Sequence, residues 1–142
     1  MTIPRIACTI ASLYLAAAPA WAQLAAPKLD TPANGVSKWL FSDYVMTWYP
    51  VTDALDYQIV VSASPSFADF DEATGACKPS APGCVSVRKN STVRVATPGE
   101  FAGFWFQGTA TYQWKVRALH GTTRGLWSEV RTFTTTSRVP KS

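Results

Sequence analysis

TYQWKVRA, residues 111–118, decides the fold class of this 142-residue chain. Tyr112, Trp114, Val116 and Ala118 fall on one side of an extended strand, and Gln113, Lys115 and Arg117 fall on the other, because successive strand side chains point to opposite faces. One face suits burial and the other suits water, the pattern of a central strand in an antiparallel sandwich. An answering run, WSEVRTF at residues 127–133, follows a glycine-containing link at residues 119–125. Strict alternation in that run puts Glu129 and Arg131 on the side of Phe133, so it is expected to contain a bulge.

Upstream, YVMTWY at residues 44–49 alternates and is stopped by Pro50. Residues 57–61 (YQIVV) alternate again, with Tyr57, Ile59 and Val61 facing inward. Residues 51–56 form a tight polar link between the two. Pro27 and Pro32 flank a segment suited to a first edge strand, since proline cannot donate to a ladder, and Asn34-Gly35 supplies a turn. Residues 91–95 (STVRV) read as a short β-branched strand. Between residues 62 and 87 the signal weakens to Ser, Pro, Asp and Gly, with Phe67 and Phe70 expected to anchor the loop to the core and Arg88-Lys89 read as solvated loop. The whole reads as an all-β sandwich of about seven antiparallel strands, in one copy.

Residues 1–22 are expected to be a cleaved secretory signal peptide: Arg5 is its charged start, residues 6–18 its apolar stretch, and Ala20-Trp21-Ala22 a small-residue cleavage site before Gln23. No membrane span is expected after cleavage, and the protein is read as exported, periplasmic or secreted. The sandwich is placed at residues 23–136 and a loose polar tail at residues 137–142. The formal charge is +4; loss of Arg5 leaves a surplus too small, and too scattered, for a nucleic-acid footprint. Loss of Cys8 leaves Cys77 and Cys84, and an even count in an exported chain reads as a disulfide. A ring that small is worth roughly 2.5 kcal/mol by loop-closure entropy.

Together these runs resemble the fibronectin type III domain, over PKLDTPANG, MTWYPVTDALDYQIVVS, TYQWKVRA and WSEVRTFTT. The resemblance implies an immunoglobulin-like sandwich in which Trp48 is a core tryptophan, Tyr112 closes a corner onto backbone, and the third, sixth and seventh strands lie side by side. The pairs Tyr57-Gln58 and Tyr112-Gln113 fit neighbouring strands in register. Trp127 beside Lys115 and Arg117 resembles half of the tryptophan–arginine ladder of cytokine-receptor modules. The cysteine loop and the aromatic segment at residues 101–108 look like insertions.

An enzyme needs a constellation, and none is spelled here: His120 stands alone in a glycine-flanked loop, without a nucleophile or metal-ligand motif spaced to use it. No metal or cofactor site is expected. Two surfaces remain for binding. One is the aromatic segment with Phe104, Trp105 and Phe106, which, if exposed, offers a stacking platform for sugars or a protein. The other is the outer sheet face with Lys115, Arg117 and Trp127. The expected function is a non-enzymatic binding or adaptor module engaging a protein partner, with a carbohydrate-binding module around Trp105 as the alternative.

Overall fold

The alternation in TYQWKVRA becomes strand β9 (Thr111–His120), the centre of the larger sheet. The computed structural model describes residues 23–39, 45–79, 83–96 and 110–135. The described strands are β1 (Leu29–Thr31), β2 (Val36–Trp39), β3 (Met46–Trp48), β4 (Asp56–Ser62), β5 (Phe70–Asp71), β6 (Ala76–Cys77), β7 (Cys84–Asn90), β8 (Val95–Ala96), β9, β10 (Thr123–Trp127) and β11 (Arg131–Thr135). One sheet runs β1-β3-β8, the facing one β2-β11-β9-β4-β7, with β10 also paired to β9, and β5 and β6 form a small hairpin. Pairing is antiparallel throughout, except that β2 lies parallel to β11. This is an immunoglobulin-like sandwich, with β11, β9 and β4 side by side as the family resemblance implied. Among the described residues no helix is long and apolar enough to cross a membrane.

The core lies between the sheets. Tyr57, Ile59 and Val61 from β4, and Tyr112, Trp114, Val116 and Ala118 from β9, meet Leu29, Met46, Trp48 and Ala96 from the smaller sheet. The side chains from β4 and β9 are the inward ones that alternation assigned. Trp48 meets Tyr57 edge-on at 5.6 Å between centroids, and Tyr112 stacks on Phe133 at 5.5 Å, geometries that favour aromatic pairs. Tyr57 Oη accepts from Val51 N at 2.9 Å. Trp48 Nε1 and Trp114 Nε1 are buried without a hydrogen-bond partner among the described residues, a desolvation cost of about 1–3 kcal/mol each that the packing of both rings must offset.

Several local expectations change. Antiparallel pairing sets Tyr57 opposite Ala118 and Gln58 opposite Arg117, so the two Tyr-Gln pairs occupy neighbouring strands without facing each other. Arg88 and Lys89 lie in β7, paired with Gln58 and Tyr57; β7 and β2 are strands that their polar composition hid. Strand β9 runs on to His120 and turns at Gly121-Thr122 into β10, so the link at residues 119–125 is mostly hairpin. The bulge is present: Trp127 pairs with Arg117 and Arg131 with Trp114, so four steps along one strand answer three along the other. Ser128 occupies the break, its Oγ accepting from Val116 N at 2.9 Å and its own N–H donating to Val116 O at 2.8 Å. That extra residue lets Trp127 face outward and Phe133 inward. Arg131, on the inner side, escapes at the edge, where its guanidinium donates to the carbonyls of Leu29, Asp30 and Pro32.

The segment entering the sandwich is part of the core. Leu24 is buried, and Leu24 O accepts from Leu126 N at 3.1 Å. A Cβ on Gly125 would stand 2.7 Å from Leu24 Cβ and 2.9 Å from Ala118 O, so only glycine admits this approach. Gly125→Ala is expected to lower stability by about 1–3 kcal/mol, the usual cost of overpacking. Urea denaturation checks this, and an unchanged midpoint would contradict the docking of Leu24.

Candidate functional site

The outer face of the central sheet is not the open polar surface that alternation suggested. Residues 63–79 fold back over it. Val60, on the outer side of β4, packs with Phe67 and Phe70 into a second apolar cluster, joined by Cys77, Cys84 and Trp127. Phe67 and Phe70 therefore anchor the loop as expected, although to this outer cluster and not to the main core. Phe67 adopts a left-handed backbone, φ 54°, a strained conformation for a bulky residue that the surrounding packing must hold. The Cys77–Cys84 disulfide is formed and ties the far end of the loop to the start of β7.

Arg117 is the centre of this arrangement. It is the candidate binding residue least open to solvent, with 2% of its surface exposed. Its guanidinium lies 4.2 Å from the Trp127 ring centroid and 6.0 Å from that of Phe70. Lys115 Nζ lies 4.2 Å from the Phe67 centroid and 4.3 Å from Trp127. The half-ladder read from sequence is thus an indole flanked by two cations, closed over by the phenylalanines of the loop. Desolvated cation–π contacts of this kind reach about 2 kcal/mol.

Hydrogen bonds fasten the loop through the same residues. Arg117 Nε donates to Gln58 Oε1 at 2.9 Å, and Gln58 Nε2 donates to Gly75 O at 2.7 Å and to Ser86 Oγ at 2.9 Å. Glu72 receives Arg117 Nη1 on one carboxylate oxygen and Trp127 Nε1, at 3.0 Å, on the other. Arg124 Nη1 donates to Glu72 O at 2.7 Å. At the other end of the loop, Ser62 Oγ donates to Asp69 Oδ1 at 2.6 Å. Burial pulls Lys115 below the ordinary lysine range, with Glu72 opposing and Arg117 adding to the shift. Burial likewise lowers Arg117, against its hydrogen bond and charge attraction to Glu72, with Arg124 adding to the lowering.

At the edge of the docked loop a cleft of ≈370 Å³ opens between the loop and the β9–β10 hairpin, lined by Gln58, Thr74, Gly75, Arg88, Leu119, Gly121, Thr122 and Arg124. Its charged side chains are both arginines. Arg88 is held by Asp56 through Nε at 3.1 Å and Nη2 at 2.7 Å. The structure thus brings Lys115, Arg117 and Trp127 together, but under cover; Arg88, expected in a solvated loop, and Arg124 are exposed cations beside them. Phe104, Trp105 and Phe106 lie outside the described residues, as do the leader and the tail. His120 Nδ1 lies 2.7 Å from Asp53 O.

The latch and its charges are separable by mutation. Arg117→Ala is expected to cost about 2–4 kcal/mol, because it removes two ring contacts and strands Gln58. Glu72→Gln should cost less than about 1 kcal/mol, since the Glu72 side chain is 59% exposed and an open carboxylate is well solvated. Equal losses in chemical denaturation would contradict this division. Lys115 should titrate below the ordinary lysine value. With its folded value below its unfolded one, the folded state binds fewer protons in the interval beneath pH 10.5, so its contribution to stability rises with pH across that interval. Side-chain NMR titration measures it directly, and a Lys115 midpoint at or above 10.5 would be the contrary result.

Comparison with known proteins finds likeness to solved structures alone. No protein-family model matches the chain, and no curated protein matches it. Solved structures do. The FN1-FN3 domains of chicken CNTN1 align at 16% identity and TM-score 0.42, covering 83% of this chain and 37% of that one, so the chain spans little more than a third of that fragment. The fn3 domain of human collagen alpha-1(XX) chain aligns at 18% identity and TM-score 0.43, covering 89% of this chain and 98% of that one. The fibronectin type III domain from human KIAA0970 protein aligns at 17% identity and TM-score 0.36, covering 85% and 78%.

Proposed function

We propose that this chain is an exported, non-enzymatic binding module of fibronectin type III type that engages a protein partner in the cell envelope or outside the cell. The observation carrying this reading is the docked cysteine loop, which converts one sheet face into a fixed surface with a donor-lined cleft at its edge. Preorganised surfaces of this kind lose little ordering entropy on binding. The disulfide at Cys77–Cys84 fits an oxidising compartment, in keeping with removal of residues 1–22. Two carboxylates of the loop are engaged in holding it: Glu72 by Arg117 and Trp127, and Asp69 by Ser62. Such engagement suits a scaffold better than acid–base chemistry, which needs a carboxylate facing a substrate.

Two measurements test the reading together. Intact mass of protein recovered from its host should correspond to a chain starting at Gln23 and two protons light; a full-length mass or two free thiols would contradict export. A photo-crosslinker at Thr122, in the cleft, should capture a discrete protein in the living cell, whereas one at Ala33 should not. Glycan-array binding with no protein adduct at Thr122 would overturn it.

A further inference from the structure

The cleft has a chemical polarity that the binding reading does not itself specify. Its two charged lining residues are both cationic, and Gln58, Thr74 and Thr122 add polar groups. Arg124 spends Nη1 on the carbonyls of Glu72 and Ala73, at 2.7 and 3.3 Å, and its Nη2 has no partner among the described residues. Behind the wall, Arg117 Nη2 is buried and has no hydrogen-bond partner among the described residues. Both free Nη2 groups converge on Gly75: a Cβ built there would lie 2.9 Å from Arg124 Nη2 and 3.3 Å from Arg117 Nη2. Gly75 has φ +71°, so glycine permits the turn and leaves the space beside the two Nη2 groups that a side chain would crowd. The N–H groups left over on Arg124 and on Arg88, whose Nε and Nη2 go to Asp56, sit in a concave setting and suit the oxygens of a carboxylate.

From this we infer that the cleft between the cysteine loop and the β9–β10 hairpin receives the carboxylate side chains of an acidic peptide segment, with Arg124 and Arg88 as the contacting residues. Arg117 acts as a positioning residue that fixes the wall. Charge complementarity selects this occupant: among the described residues no carboxylate lines the cleft, and although Asp56 offsets Arg88, Arg124 is held by backbone carbonyls and by no carboxylate of the described residues. The inference rests on the protein-binding reading above and names the partner's chemistry.

A fluorescent hexaglutamate peptide is the probe, with hexaserine and inorganic phosphate as comparators. Amide shifts at Thr74, Gly75, Gly121 and Thr122 should accompany hexaglutamate and not hexaserine, and affinity should fall as salt is raised. Thr122→Glu adds a competing carboxylate at an exposed turn and should weaken hexaglutamate at least about tenfold, as loss of one charge-assisted contact would, with an unchanged melting temperature. Arg124→Gln should do the same, with amide exchange of the loop confirming that it stays docked. Shifts scattered over all basic residues, tighter capture of phosphate than of hexaglutamate, or undiminished affinity in Thr122→Glu would overturn the inference. If the peptide fails while the Thr122 crosslinker still captures a protein, this inference falls and the binding reading stands. If both fail, both fall.

Discussion

A guanidinium group without access to water is the constraint on which this structure turns. Arg117 sits on what alternation makes the solvent side of the central sheet, yet it is 2% exposed. Burying such a charge is expensive unless it is paired and hydrogen-bonded. The chain supplies Gln58 from the neighbouring strand, the Trp127 face from the next one along, and Glu72 from the loop. Each partner comes from a different segment. The loop must therefore close for the arginine's charge to be paired, and the arginine must point outward for the loop to have anything to close on.

That mutual dependence explains why so polar a loop is ordered. Residues 63–79 bury only a few apolar side chains, chiefly Phe67 and Phe70, and such a segment would ordinarily remain loose. Here the disulfide holds one end, Ser62 and Asp69 hold the other, and the Arg117 cluster holds the middle. The cleft lies where Thr74 and Gly75 of the loop face the β9–β10 hairpin, and its cationic character comes from Arg88 and Arg124.

The two-faced strands were legible in the sequence because period-2 alternation is a direct record of burial: Tyr112, Trp114, Val116 and Ala118 are all inside. The outward turn of Trp127 against Phe133 was legible too, as a bulge. The cover on the other face was not, since Gln113, Lys115 and Arg117 spell a solvated face and nothing local says otherwise. One signal pointed the other way. Ile59-Val60-Val61 is a continuous apolar run, and such runs mark strands covered on both sides; with Phe67 and Phe70 in the loop that follows, it marks where the cover lands. Strand β7 was hidden because CVSVRKN alternates weakly at a sheet edge, where only half of each residue is buried and composition stays polar.

The nuclear magnetic resonance signal of the Arg117 Nε–H group tests the central claim most directly. Buried against Trp127 and bound to Gln58, it should exchange slowly with water at neutral pH, carry a ring-current shift, and show cross-peaks to the indole. An Arg117 signal exchanging as fast as those of the exposed arginines, with no contact to Trp127, would contradict the account.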